Sequence, residues 1–264
     1  MSTPTFALHA HPDRDSLGAA AARSAAQTLR AAIAERGAAR MIAAAAPSQQ
    51  DVYRALVQEP GIDWSAVTVL HMDDYLDLDP GAPQRFAAWL RVHLVDHVRP
   101  GRFLAMRTEL GAEAAAAEYE AYLDEGPIDL VCLGIGVNGH IAFNDPPDAR
   151  FDDPSRVRAV ALDEASRIQQ VDDECFDTLD DVPTHALTLT IPTLLSGSHL
   201  VCAVPGERKA AAVRALVDEQ VDESWPCTVL RRHPHCEVHV DRDAASLLPV
   251  SATLSLSSAA VPAS

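Results

Sequence analysis

The chain has 264 residues, 48% of them apolar, and a formal net charge of −17. That length accommodates one large α/β domain or two small ones, with enough apolar side chains for a sizeable core. So acidic a balance argues against nucleic acid and anionic membrane surfaces as partners, because both demand stripes of Lys and Arg, and it obliges any anionic substrate to find a local positive site.

The N-terminal MSTPTFALHAHPDRDS lacks the basic start and apolar run of a signal peptide. No stretch approaches the roughly 18 apolar residues of a membrane span. The five cysteines, Cys132, Cys175, Cys202, Cys227 and Cys236, are odd in number and form no CxxC pair. They read as reduced, buried thiols, and the chain as cytoplasmic.

Residues 15–36 read as a helix with Asp15 or Ser16 as its cap and Gly37 as its stop. Met41–Ala46 is a short apolar run ending in Pro47-Ser48, which predicts a buried strand. Asp51–Val57 reads as helical. Val67–Met72 is a second apolar run and ends in acidic residues. The spacing predicts helices over 83–97 and 112–123. Ile128–Ile135 is strand-like and breaks into GIGVNG. Ala186–Ile191 (ALTLTI) is β-rich. Leu200–Val204 is a strand followed by a helix over 207–217. Cys227–Leu230 and Cys236–Val240 read as short late strands. Strands alternating with helices predict an α/β fold: a mostly parallel, Rossmann-like sheet with helices on both faces, in a single domain over 1–248. The low-complexity stretch at 249–264 reads as a frayed tail.

In doubly wound sheets ligands lie beyond the carboxyl ends of the strands. Two segments in that position carry chemical groups, HMDDYLDLD at 71–79 and LGIGVNGHIAFNDPP at 133–147. Gly134, Gly136 and Gly139 permit tight turns and an anion-binding nest. His140 follows, with Asn144 and Asp145 close behind, and a histidine beside a carboxylate is a common proton-transfer pair. A plain strand-to-helix turn with an exposed histidine would use the same residues. Asp73 and Asp74 end a strand, where a desolvated carboxylate can serve as a base; helix capping is the alternative. Adjacent residues of extended chain point apart, so at most one of them faces a site. Lys209 is the only lysine of the chain and lies where a cation can clamp a phosphate, or where it can simply face water. Arg167 and Ser48 are weaker candidates of the same type. A metal site finds little support: His93 and His97 have no HExxH glutamate, His233 and His235 flank Pro234, and no Cys pair assists. No GxSxG elbow occurs.

Together the motifs become specific. GIGVNGHIAFNDPP resembles the signature of glucosamine-6-phosphate deaminases, and HMDDYLDLD resembles that family's MDEY segment. THALTLTIPTLLSGSHLVCAVPGERKAAAVRAL and RRHPHCEVHVDRDAASLL resemble its later blocks, in the same order and spacing. The resemblance spans roughly residues 15–248. It implies a single α/β domain that converts an amino-sugar phosphate to a ketose phosphate and ammonia, without metal or organic cofactor. His140 would open the sugar ring and Asp73 would move a proton between carbons 1 and 2. Two acidic relay positions of the family are Asn138 and Asp145 here. Asn138 cannot take a proton but can orient the imidazole by hydrogen bonding, and Asp145 is one methylene short of the usual Glu. Gly136, Gly139, Ser48, Asp74, Arg167 and Lys209 are the expected substrate-binding set.

The family's TGGTP phosphate loop appears here as AAPSQ, without its glycines. Its phosphate arginine falls near Asp172, with Arg167 as a substitute one helical turn earlier, whereas Lys209 matches its phosphate lysine. A rebuilt phosphate grip, or a different sugar, is the expected consequence. The weighed alternatives are a 6-phosphogluconolactonase-type hydrolase, whose members usually read TASLFP after the histidine, and a non-catalytic sugar-phosphate sensor. Relatives often assemble as oligomers, so a homo-oligomer is also among the expectations, with no residue pattern fixing the number.

Overall fold

The inner strands of the central sheet alternate their burial partners with period two. In Ala39–Ala43, Met41 and Ala43 join one apolar cluster while Ile42 joins the other. A strand apolar on both faces must be covered on both, and helices provide that cover. The computed structural model describes residues 5–249, so the tail expected at 249–264 lies, apart from Pro249, outside the described residues.

In chain order the strands are β1 Thr5–His11, β2 Ala39–Ala43, β3 Val67–His71, β4 Asp73–Tyr75, β5 Arg102–Leu104, β6 Leu130–Leu133, β7 Val157–Ala161, β8 His185–Leu189, β9 His199–Val204 and β10 His235–Asp241. Seven of them form one sheet in the order β1-β10-β9-β6-β2-β3-β5, and every pairing within it is parallel. The predicted α/β architecture is therefore observed. A second sheet, β4-β8-β7, is antiparallel. ALTLTI thus forms a strand as expected, but it pairs with Asp73–Tyr75 and the unanticipated β7 instead of joining the parallel sheet.

The helix Arg14–Arg36 covers one face with Leu17, Ala21, Ala22, Ala25 and Leu29 fully buried. Its cap is Asp13, two or three residues earlier than expected, because the extended Asp13 backbone lets its carboxylate accept from the Ser16 amide at 2.7 Å. Gly37 ends it in a left-handed turn at φ 76°. Ala112–Leu123 and Ala210–Asp218 pack on the opposite face. The helix expected at 83–97 begins at Phe86 and runs as α, π and α turns to Val98. Cys227–Leu230 is not a strand: it lies in a buried 3₁₀ segment, Pro226–Arg232. A short buried apolar run carries the same hydrophobic pattern in either state, and here a proline opens it.

Candidate active site

Four neighbouring parallel strands end at one cleft. Past β2 lies Ser48, past β3 Met72 and Asp73, past β6 Gly134, Gly136 and His140, and past β9 Lys209. Arg14, at the start of the first helix, and Gln169, Gln170 and Asp173, on or just after the helix Glu164–Asp172, complete the lining. The sheet order places β9, β6, β2 and β3 side by side, so chain segments far apart in sequence address one space.

The wall after β6 is built around the imidazole. A Cβ on Gly136 would stand 2.1–2.3 Å from ring atoms of His140, so only glycine lets the ring lie across this backbone. Gly136 and His140 are joined by an amide-to-carbonyl bond of 2.9 Å. His140 Nδ1 lies 2.8 Å from Asp145 Oδ1 and 2.9 Å from Ser166 Oγ. Ser166 donates to the same Asp145 oxygen at 2.5 Å, and Asn138 Nδ2 donates to it at 2.9 Å. With Nδ1 so engaged, Nε2 is the ring nitrogen left to meet a ligand. Downstream, Asn144 Nδ2 donates to Ile141 O and Leu189 O, each at 2.9 Å, and the Phe143 amide donates to Thr188 Oγ1 at 3.2 Å. These bonds tie the loop to the antiparallel sheet.

Two carboxyls near the ring are tuned in opposite directions. Asp73 is 6% exposed. Burial, then the nearby Asp74 and Asp145 charges, push its carboxyl well above the usual carboxylate range, offset in part by the Phe143 amide. Burial also disfavours charge on Asp145, but His140, Ser166 and Asn138 together outweigh it and hold that carboxyl below its usual value. Carboxyls separated in this way can take different roles at one pH.

The far end of the cleft is cationic but mixed. Lys209 Nζ donates to Gln169 Oε1 at 3.0 Å, an oxygen that also accepts from the Val137 amide at 3.1 Å. Burial is the main reason its ammonium is brought down to about 8. Ser48 Oγ sits where a Cβ on Gly134 would approach within 2.9 Å. Gln49 Nε2 binds Leu133 O at 2.9 Å and so anchors the AAPSQ turn to the end of β6. Arg14 is held by Asp51 at 2.9 Å and by Pro47 O at 3.1 Å. Asp173 adds a negative charge to the same space.

The expected site residues therefore divide. Asp73, His140, Ser48, Gly136 and Lys209 line the cleft together. Asp145 and Asn138 stand behind His140. Asn138 orients the Asp145 carboxylate and accepts from the His140 amide at 3.1 Å, so it does not touch the imidazole as expected. Asp74 does not reach the cleft. It is fully buried, lies 3.3 Å from Arg85 Nε, and accepts from the Phe86 amide at 3.1 Å, so it caps the helix that begins there. Arg167 also turns away, donating to Leu179 O and Val182 O at 2.6 and 3.0 Å. Gly139 serves the turn at φ 83°, where a Cβ would stand 2.8 Å from the Trp225 ring. Asp172, at the family's arginine position, pairs with Arg208. Ser166, Gln169 and Arg14 were not anticipated.

Comparison with known proteins agrees with this geometry. Residues 12–239 match the family model described as glucosamine-6-phosphate isomerases/6-phosphogluconolactonase. A glucosamine-6-phosphate deaminase of Exiguobacterium sp. is 35% identical over 192 residues, covering 72% of this chain and 74% of the relative. One from Lactobacillus delbrueckii subsp. bulgaricus is 33% identical over 215 residues, covering 81% and 89%. A solved structure of a monomeric glucosamine-6-phosphate deaminase superposes with a TM-score of 0.84 at 30% identity, covering 91% of this chain and 99% of that one. A 6-phosphogluconolactonase from Shewanella baltica shares the fold, with a TM-score of 0.73 at 18% identity, covering 91% and 100%. With four strand ends converging on one cleft and the match running through nearly all of the described residues, the chain belongs to the glucosamine-6-phosphate isomerase/6-phosphogluconolactonase family.

Proposed function

We propose that this chain is a glucosamine-6-phosphate deaminase that converts glucosamine 6-phosphate and water to fructose 6-phosphate and ammonia. The observation that carries the reading is one cleft holding a buried, high-pKa carboxyl, Asp73, and an imidazole backed by a separate, low-pKa carboxylate, Asp145. The sharing of the fold with lactonases does not decide the chemistry; the wording IAFND after the histidine and the deaminase relatives favour the amino sugar.

In this reading His140 exchanges protons between the ring oxygen and the anomeric hydroxyl, which opens the pyranose. Asp145 stabilises the imidazolium while Ser166 and Asn138 hold the carboxylate in place. Asp73 takes the proton from carbon 2 and returns one to carbon 1, which moves unsaturation from the aldehyde to a ketimine at carbon 2. Water then hydrolyses the ketimine and releases ammonia. A raised carboxyl pKa makes Asp73 a stronger base than a solvated aspartate. Lys209, Ser48 and Arg14 form the phosphate end, with Gln169 positioning Lys209. No resident metal or organic cofactor enters these steps. The free thiols of all five cysteines, and the lack among described residues of a helix long and apolar enough to cross a membrane, fit the cytoplasmic setting that we propose.

The test is turnover of glucosamine 6-phosphate beside glucosamine, glucose 6-phosphate and 6-phosphogluconolactone. Ammonia and fructose 6-phosphate appearing together from the first substrate alone is the expected outcome. Lactone hydrolysis, or ligand binding without turnover, would reverse the assignment.

A further inference from the structure

A second constellation lies away from the cleft, where the edge strand β1 meets β10 under the first helix. His9 and His239 are register partners across these parallel strands, and Glu237 lies two residues before His239 on the same face. Their rings stack with centroids 4.9 Å apart. His9 Nε2 and His239 Nε2 each lie 3.6 Å from Glu237 Oε2. That is too far for a hydrogen bond, and both nitrogens are buried without any hydrogen-bond partner. His239 is 3% exposed, so its Nε2 is a fully desolvated lone pair or N–H aimed at a carboxylate it does not reach. Buried polar nitrogens without partners are rare enough to need a physical cause.

We propose that His9, Glu237 and His239 form a binding site for a divalent transition-metal ion of the zinc class. One ligand atom from each residue falls within 4.8 Å of the others. Zinc bonds of about 2.0–2.2 Å at tetrahedral angles separate ligand atoms by roughly 3.4 Å, close to the 3.6 Å gaps seen here. Two imidazoles and one carboxylate leave the fourth position to water.

The surrounding groups suit that role. His239 Nδ1 lies 3.0 Å from His11 Nε2. A metal on His239 Nε2 places the proton on Nδ1, which then donates to His11, the outer partner that metal-bound histidines generally have. Ser24 Oγ, from the first helix, donates to Glu237 Oε2 at 2.8 Å. Access exists as well: Glu237 also lines a surface depression with Ser24, Gln27 and His199. None of the three ligands lines the Asp73–His140 cleft. The ion would therefore clip the edge strand to its neighbour, a stabilising role, and the site stands independently of the reaction proposed above.

The full chain, stripped with chelator, should take up one Zn²⁺ per molecule by titration calorimetry, with micromolar or tighter affinity. Co²⁺ in its place should give the visible absorption of a four-coordinate site. Zinc at a hundredfold excess over its Kd should raise Tm by several degrees. His9→Gln and Glu237→Gln should each abolish the stoichiometric uptake and the Tm shift while leaving ammonia release intact, which also shows that the variants fold. His93→Ala should change nothing. No stoichiometric uptake by the wild type, uptake unchanged in both ligand variants, or loss on His93→Ala would each overturn the proposal.

Discussion

The two ends of the cleft are built on different plans. At the end where we propose the reaction, the imidazole and its carboxylate are each fixed more than once: His140 by Asp145 and Ser166, Asp145 by Asn138 and Ser166, with a glycine leaving the ring room. At the end proposed for the phosphate a single half-buried lysine leans on one glutamine oxygen, an exposed arginine is shared with Asp51, and Asp173 opposes them. Proton transfer tolerates little misplacement, because a catalytic group must stay within hydrogen-bond reach of its proton. A phosphate accepts many arrangements of donors. Losses at the first end should therefore fall on kcat, and losses at the second on KM.

The largest break in that contrast should come from Asp73→Asn, which keeps shape and removes the base. Ammonia release should fall by about 10³-fold or more in kcat, with KM little changed. Melting temperature should hold or rise, since an already disfavoured buried charge is lost. A kcat within tenfold of wild type would remove Asp73 from the mechanism.

Gly136→Ala should come next. The added methyl overlaps the His140 ring, so the imidazole must leave its place beside Asp145. A loss of about 10²-fold in kcat is expected, and the ring displacement should be visible in a crystal structure of the variant. An undisturbed ring with full activity would show that the close approach has no catalytic meaning.

Lys209 offers the smallest but sharpest probe. Its ammonium is present below about 8 and lost above, so kcat/KM should decline as pH rises through 8, through KM rather than kcat. Lys209→Arg, which stays charged, should remove that alkaline limb even if it costs several-fold in affinity at pH 7. An alkaline limb that persists in the arginine variant would belong to another group.

How far the sequence carried these conclusions depended on the kind of signal. The strand ends and the glycine turn leave local marks that made Asp73, His140 and Gly136 candidates beside plain structural readings, and it was the resemblance of the combined motifs to the family that made them specific. Asp74 could not be separated from Asp73 by pattern alone; only the placement of Phe86 shows that it caps a helix. On the helix Glu164–Asp172, Arg167 drew attention for its charge, whereas the residue that meets His140 is Ser166. One position along a helix turns a side chain by about 100°, and no composition signal marks a serine. The same limit hid the His9, Glu237 and His239 cluster, because its ligands meet across strands from opposite ends of the chain, while a search by spacing finds only neighbours such as His93 and His97.

The central claim, that Asp73 and His140 act on one sugar in one cleft, is tested most directly by running the reaction in D₂O. The account predicts fructose 6-phosphate carrying deuterium at carbon 1 from the wild type, in step with ammonia release, and neither label nor ammonia from Asp73→Asn. Ammonia released by the Asp73→Asn protein at the wild-type rate, with solvent deuterium still entering carbon 1, would contradict it.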